Sequence, residues 1–204
     1  MRVFKFFSCR VGLLLPLVVC AGCLASSPPV RYFLLTPMAP QEAALAAVGQ
    51  DKASILVEPV EIPPYLNRLQ IVTRSSENHL QLAQSEQWGD FLQENISRVL
   101  LENLAALLGT NRIFSPKSLS QGSAAFRVAT QISQFEQGAD GRVVLRSRWR
   151  LLDNKTGKML LVRQSHLVGE PVQAADYDAI AVGMSRLLLQ WSQEMAREMA
   201  VHLR

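Results

Sequence analysis

Arg142, Arg146, Arg148 and Arg150 share one parity in a segment that reads as a strand, 142–152. An extended chain sends alternate side chains to opposite faces, so these guanidinium groups would form a row. Val143, Leu145, Ser147, Trp149 and Leu151 would line the other, mostly apolar side. Guanidinium forks suit phosphate and carboxylate oxygens. Two readings of Arg146, Arg148 and Arg150 follow: a solvated face paired with nearby acids, or contact with anionic lipid headgroups or an acidic partner. A second candidate is Pro63-Pro64-Tyr65-Leu66, a stiff loop carrying an aromatic ring. Such a loop either folds back on the core or presents its Tyr as a rigid anchor for a partner.

Catalytic chemistry is hard to find. His79, His166 and His202 are widely spaced, with no His-Glu-x-x-His arrangement to hold a metal. No Gly-x-Ser-x-Gly elbow occurs, and Ser185 falls inside an amphipathic helical pattern, the wrong setting for a strained nucleophile. Neither a Walker-type nor a dinucleotide glycine loop is present. No enzyme activity, cofactor or metal is expected.

The three cysteines have a different use. Met1–Arg10 is basic, and Val11–Cys20 is a short apolar run. Ten helical residues rise about 15 Å, too little for a bilayer core that needs about 20 residues. A basic start, a short apolar middle and small residues before a break make a secretory signal peptide. The break, Cys20-Ala21-Gly22-Cys23, resembles the bacterial lipobox, although Cys20 stands where that pattern prefers Leu. The resemblance implies removal of residues 1–22 and acylation of Cys23. Cys9 and Cys20 leave with the signal, so no thiol remains for disulfides, zinc or catalysis. Leu24 in place of Asp points, by analogy with enteric sorting, to the periplasmic side of the outer membrane. Residues 23–30 then form the lipidated start and a short Ser/Pro tether, and residues 31–204 one domain.

Charge agrees. Taking the three positives of residues 1–22 from the chain's formal +4 leaves +1, too little to argue for nucleic acid. Charged residues are 19% and hydrophobic residues 49%, a balance that supports a folded core.

Short β-rich runs occupy 31–36 and 54–58, with a hairpin over 69–82 and a connection over 37–52. Trp88–Leu108 reads as a helix with Leu92, Ile96, Val99, Leu100, Leu104 and Leu107 on one stripe, ended by Gly109. Leu101 and Ala105 interrupt its polar side. Residues 124–135, 142–152 and 158–168 form a meander, and Asp176 caps a last helix running nearly to Arg204. The expected architecture is α+β: an antiparallel β-sheet with two long amphipathic helices packed on one face.

The order of these landmarks resembles a family. Tyr32-Phe33-Leu34-Leu35, Ile55-Leu56-Val57-Glu58-Pro59-Val60, Ile62-Pro63-Pro64-Tyr65-Leu66-Asn67-Arg68, Gln70-Ile71-Val72-Thr73-Arg74 and Trp88 resemble the ABC-type transport auxiliary lipoproteins of the PqiC type. That resemblance implies a non-enzymatic subunit supporting envelope integrity. Its partners would be an MCE-domain protein that carries lipid across the periplasm, an inner-membrane permease and an ATPase. Ring-like homo-oligomers occur in such families, which would give Leu101, Ala105 and the arginine strand a second use. The rival readings are a lipoprotein that docks an outer-membrane β-barrel and an envelope hydrolase.

Overall fold

Residues 28–39, 54–117 and 124–203 are described by the computed structural model. The signal segment, Cys23 and most of the connection read over 37–52 lie outside the described residues. The elements are β1 (Arg31–Phe33), β2 (Ile55–Val57), β3 (Gln70–Ser76), β4 (His79–Trp88), α1 (Leu92–Leu108), β5 (Ile113–Phe114), β6 (Phe126–Gln137), β7 (Arg142–Asp153), β8 (Met159–Pro171) and α2 (Tyr177–Ala200).

The meander is as expected. Gly138-Ala139-Asp140-Gly141 turns β6 into β7, with Gly141 at φ 78°, where a Cβ would stand 2.9 Å from the Val172 carbonyl oxygen. Asp153 organises the next turn by accepting hydrogen bonds from the backbone N–H groups of Lys155 and Thr156. β6, β7 and β8 are antiparallel over nearly their full lengths.

The rest of the sheet corrects the antiparallel expectation. β3 and β4 form an antiparallel hairpin, but β1 runs parallel to β4, and β2 runs parallel to both β5 and β6. β3 also meets the end of β6 in parallel, pairing Thr73 with Gln137. The eight strands therefore make one mixed sheet. Alternation along a strand reports which face is buried, not the direction of its neighbour. Parallel neighbours need long crossovers, and the route from β2 to β6 supplies one that includes α1.

Trp88 is a second correction: it ends β4 and does not open the helix. Its spacing of four from Leu92 and eight from Ile96 imitates a helical stripe. In fact it pairs in register with Phe33, and its backbone N–H donates to the Leu69 carbonyl at 2.6 Å. α1 begins at Leu92 and ends at Gly109, which adopts the left-handed conformation (φ 62°). The N–H groups of Gly109 and Thr110 satisfy the carbonyls of Ala106 and Ala105, the pattern of a Schellman cap.

α2 packs on β6, β7 and β8, and α1 packs beside α2. Trp88, Trp149, Trp191 and Phe135 are fully buried between these layers. Asn103 ties the helices together inside that core, donating to Ser192 Oγ at 3.2 Å and accepting from the Met38 N–H at 2.7 Å. The Asp176 carboxylate accepts from the Ala179 N–H at 3.0 Å, as an N-cap should. Asp176→Ala should lower stability by about 1 kcal/mol in chemical denaturation, because that N–H loses its acceptor. An unchanged midpoint would mean the cap contributes nothing.

Candidate functional site

β7 follows the expected alternation. Val143, Leu145, Ser147, Trp149 and Leu151 are buried against the helices, and Arg146, Arg148 and Arg150 are exposed on the opposite face. Arg142, the fourth of the row, departs from it: its guanidinium donates to the Gly169 carbonyl at 3.1 Å. Register places no acidic residue on either flank of the three arginines. Gln134, Arg146 and His166 lie side by side, as do Gln131, Arg148 and Gln164, and then Ala129, Arg150 and Val162.

Acids pair with other cations. Arg127 meets Glu58 at 3.2 Å, Arg163 meets Glu198 at 3.0 Å, and Arg31 meets Asp178. Among the described residues, the guanidinium groups of Arg146, Arg148 and Arg150 form no ion pair. The three arginines are exposed, and the acids nearest them, Glu58 and Glu61, share a depression with Arg148 and Arg150 without forming an ion pair to either.

The proline loop lies against this face. Its stem is stitched to β6, because Glu61 N–H donates to Thr130 O and Ile132 N–H donates to Glu61 O, at 3.0 and 2.8 Å. The Val60 N–H donates to Ser97 Oγ of α1 at 3.0 Å. An open depression of about 560 Å³ is bordered by Gln131, Ser133, Arg146, Arg148, Gln164 and His166. A second, about 210 Å³, adds Glu58, Glu61, Arg150 and Met159, and a third, about 560 Å³, runs over Ile62, Pro63 and Pro64. Gln131 borders all three, so the two stretches singled out in the sequence meet around one residue.

Within the loop, Pro63 and Pro64 face that depression while Tyr65 and Leu66 turn inward. Leu66 is 1% exposed. The Tyr65 hydroxyl donates to Glu136 Oε2 at 3.1 Å, and Arg74 Nε donates to Glu136 Oε1 at 2.9 Å. The backbone N–H of Phe135 adds a third donor at 3.0 Å. Arg74 also lies 5.9 Å from the centre of the Tyr65 ring. Burial, followed by the Glu136 charge, pushes the Tyr65 hydroxyl up to about 12. The hydrogen bond that Arg74 donates to Glu136 raises the Arg74 pKa above its ordinary value. These groups form a closed charge network that clamps the loop, and its members are satisfied by one another.

Glu136 carries no sequence signal as a site residue, since it sits in an ordinary Phe-Glu-Gln run. The β-bulge at Ser133 explains its position: Ile132 pairs with Ser147, but Gln134 pairs with Arg146. The extra residue shifts the parity of β6, sending Phe135 into the core and Glu136 to the outer face beneath Tyr65. The places of His166, Gln131, Gln134 and Gln164 on the arginine face were identifiable only from strand register.

Elsewhere the chemistry is sparse. Ser75 Oγ and His79 Nδ1 are 2.9 Å apart on an exposed hairpin, with no acid on the imidazole among the described residues. The described residues contain no group of three His, Cys, Asp or Glu that could hold a metal. No helix among them is long and apolar enough to cross a membrane. Leu101 and Ala105 are half-buried on α1.

Residues 33–196 match the model of a family described as the ABC-type transport auxiliary lipoprotein component. The intermembrane transport lipoprotein PqiC of Escherichia coli strain K12 is 27% identical over 177 residues, covering 86% of this chain and 88% of that protein. Its counterpart in Shigella flexneri matches equally. Among solved structures, a Xanthomonas campestris protein superposes with a TM-score of 0.69 at 13% identity, covering 82% of this chain and 93% of that one. A crystal structure of an uncharacterised protein gives 0.67 at 22% identity, covering 84% and 99%. Those two likenesses concern the fold: a mixed sheet with two helices. With the family model spanning most of its length, the chain belongs to the ABC-type transport auxiliary lipoproteins.

Proposed function

We propose that this protein is a lipid-anchored, non-enzymatic accessory subunit of an ABC- and MCE-type intermembrane lipid transport system. Residues 1–22 direct export and are removed, and acylated Cys23 holds the domain on the periplasmic side of the outer membrane. There the domain meets an MCE-domain protein whose inner-membrane permease and ATPase supply energy from other chains. The role is support of envelope integrity, with the domain acting through its surfaces.

The observation that carries this reading is the family match over residues 33–196, together with similarity to an intermembrane transport lipoprotein. The arginine face suits it, since a surface of unpaired cations is available for an anionic partner. Affinity capture of the full-length protein from cross-linked, solubilised envelopes should recover an MCE-domain protein with its permease and ATPase. Recovery of an outer-membrane β-barrel without them would replace this reading with the barrel-docking one. Recovery of neither would overturn it.

A further inference from the structure

We propose that the depression around Arg146 and Arg148 binds the phosphodiester headgroup of an anionic phospholipid, with Pro63 and Pro64 receiving the first methylenes of its acyl chains. The inference rests on the transport reading for its biological sense, and on geometry for its chemistry.

Three observations carry it. Arg146 and Arg148 project from alternate positions of β7, so their Cα atoms are about 7 Å apart and two flexible side chains can close on one phosphate. Their guanidinium groups have no acidic partner among the described residues, so an incoming anion displaces only water. Gln131 and Gln164 flank Arg148 in register and His166 flanks Arg146, adding polar groups around the two charges.

Acids mark the limit of the site. Glu58 and Glu61 border the neighbouring depression that Arg148 shares with Arg150, Glu61 also edges the one over Pro63 and Pro64, and no carboxylate borders the one at Arg146 and His166. The anion therefore belongs between Arg146 and Arg148. Free phosphate would need nothing more. A lipid also needs an apolar surface beside its headgroup, and the adjoining depression supplies Ile62, Pro63 and Pro64, with Gln131 and Ser133 shared between the two and Glu61 at its edge. A cationic floor continuous with an apolar shoulder fits an amphiphile better than a uniformly acidic peptide.

The test uses the full-length lipoprotein in an uncharged detergent, titrated calorimetrically with dihexanoyl-phosphatidylglycerol. Partitioning of that lipid into micelles is the same for every variant, so differences between variants report the protein site. The double variant Arg146→Gln, Arg148→Gln should bind more weakly by roughly tenfold or more per arginine removed, the scale of a charge-assisted hydrogen bond. Arg163→Gln, which loses its ion pair with Glu198 and its hydrogen bond to the Val162 carbonyl but lies outside the depression, should bind as the parent does. Matching far-ultraviolet circular dichroism and melting curves establish that the double variant is folded. Three results would overturn the proposal: unchanged affinity in the folded double variant, inorganic phosphate binding as tightly as the lipid, or an oligoglutamate peptide binding where the lipid does not. Partner capture from envelopes is a separate readout. Retained capture with no headgroup binding removes this site and leaves the accessory-subunit reading standing; headgroup binding with no capture does the reverse.

Discussion

Glu136→Ala should lower the stability of the domain by about 3 kcal/mol, the low end for breaking a buried ion pair. Glu136 is 0% exposed and accepts from Tyr65, Arg74 and the Phe135 N–H. Its removal takes the acceptor from the Tyr65 hydroxyl, the Phe135 N–H and Arg74 Nε, while Arg74 Nη1 keeps its bond to the Glu77 carbonyl. Arg74 keeps 24% side-chain exposure and can recover some water, which is why the low end applies. For a domain of this size that corresponds to a fall of roughly 10 °C in melting temperature. Tyr65→Phe removes one hydrogen bond and should cost about 1 kcal/mol. The two variants also differ in their response to alkali. The Tyr65 pKa is raised from 10.0 to about 12, so folding favours the protonated hydroxyl. Its contribution is complete below pH 10 and disappears as the pH rises through about 12. Denaturation midpoints of the parent should therefore fall more steeply across that window than those of Tyr65→Phe. Parallel curves would mean that the hydroxyl is not held by Glu136.

What could be seen from the sequence follows from how far each signal extends. From Leu145 to Leu151 the strand β7 alternates arginine with apolar residues, Ser147 apart, so residue types alone make its two faces plain. The helices announce themselves by stripes at helical spacing and by the caps at Asp176 and Gly109. Strands of three residues, such as β1 and β2, are too short to show a period, and nothing in them declares a parallel partner. Trp88 shows the same weakness in reverse, a strand residue whose spacing from Leu92 imitates a helix. At the site, the arginine row was legible because it is local. Its meeting with the proline loop depends on a bridge between Glu61 and Gln131, seventy positions apart in sequence, and on a bulge at Ser133 that no residue type advertises.

Cys23→Ser should move the protein almost wholly from the membrane to the soluble fraction. One acyl chain gives only marginal attachment, and the three chains usual in bacterial lipoproteins give effectively permanent anchoring, at roughly 0.8 kcal/mol per buried methylene. No helix among the described residues is long and apolar enough to cross a membrane. Fractionation with radiolabelled palmitate should show label and membrane association lost together in the variant. The folded domain should keep its melting temperature, since its first strand begins at Arg31. Membrane association that survives the substitution would assign the attachment to another part of the chain.

On the proposed reading, the transport partners and the headgroup site both require the domain to sit against a membrane, and acylated Cys23 would bring it there. The most direct measurement is the mass of the N-terminal peptide of the protein isolated from envelope membranes. A peptide that begins at Cys23 and carries diacylglyceryl and amide-linked acyl groups is the predicted result. A peptide that begins elsewhere, or an unmodified Cys23 in the membrane-bound protein, would contradict it.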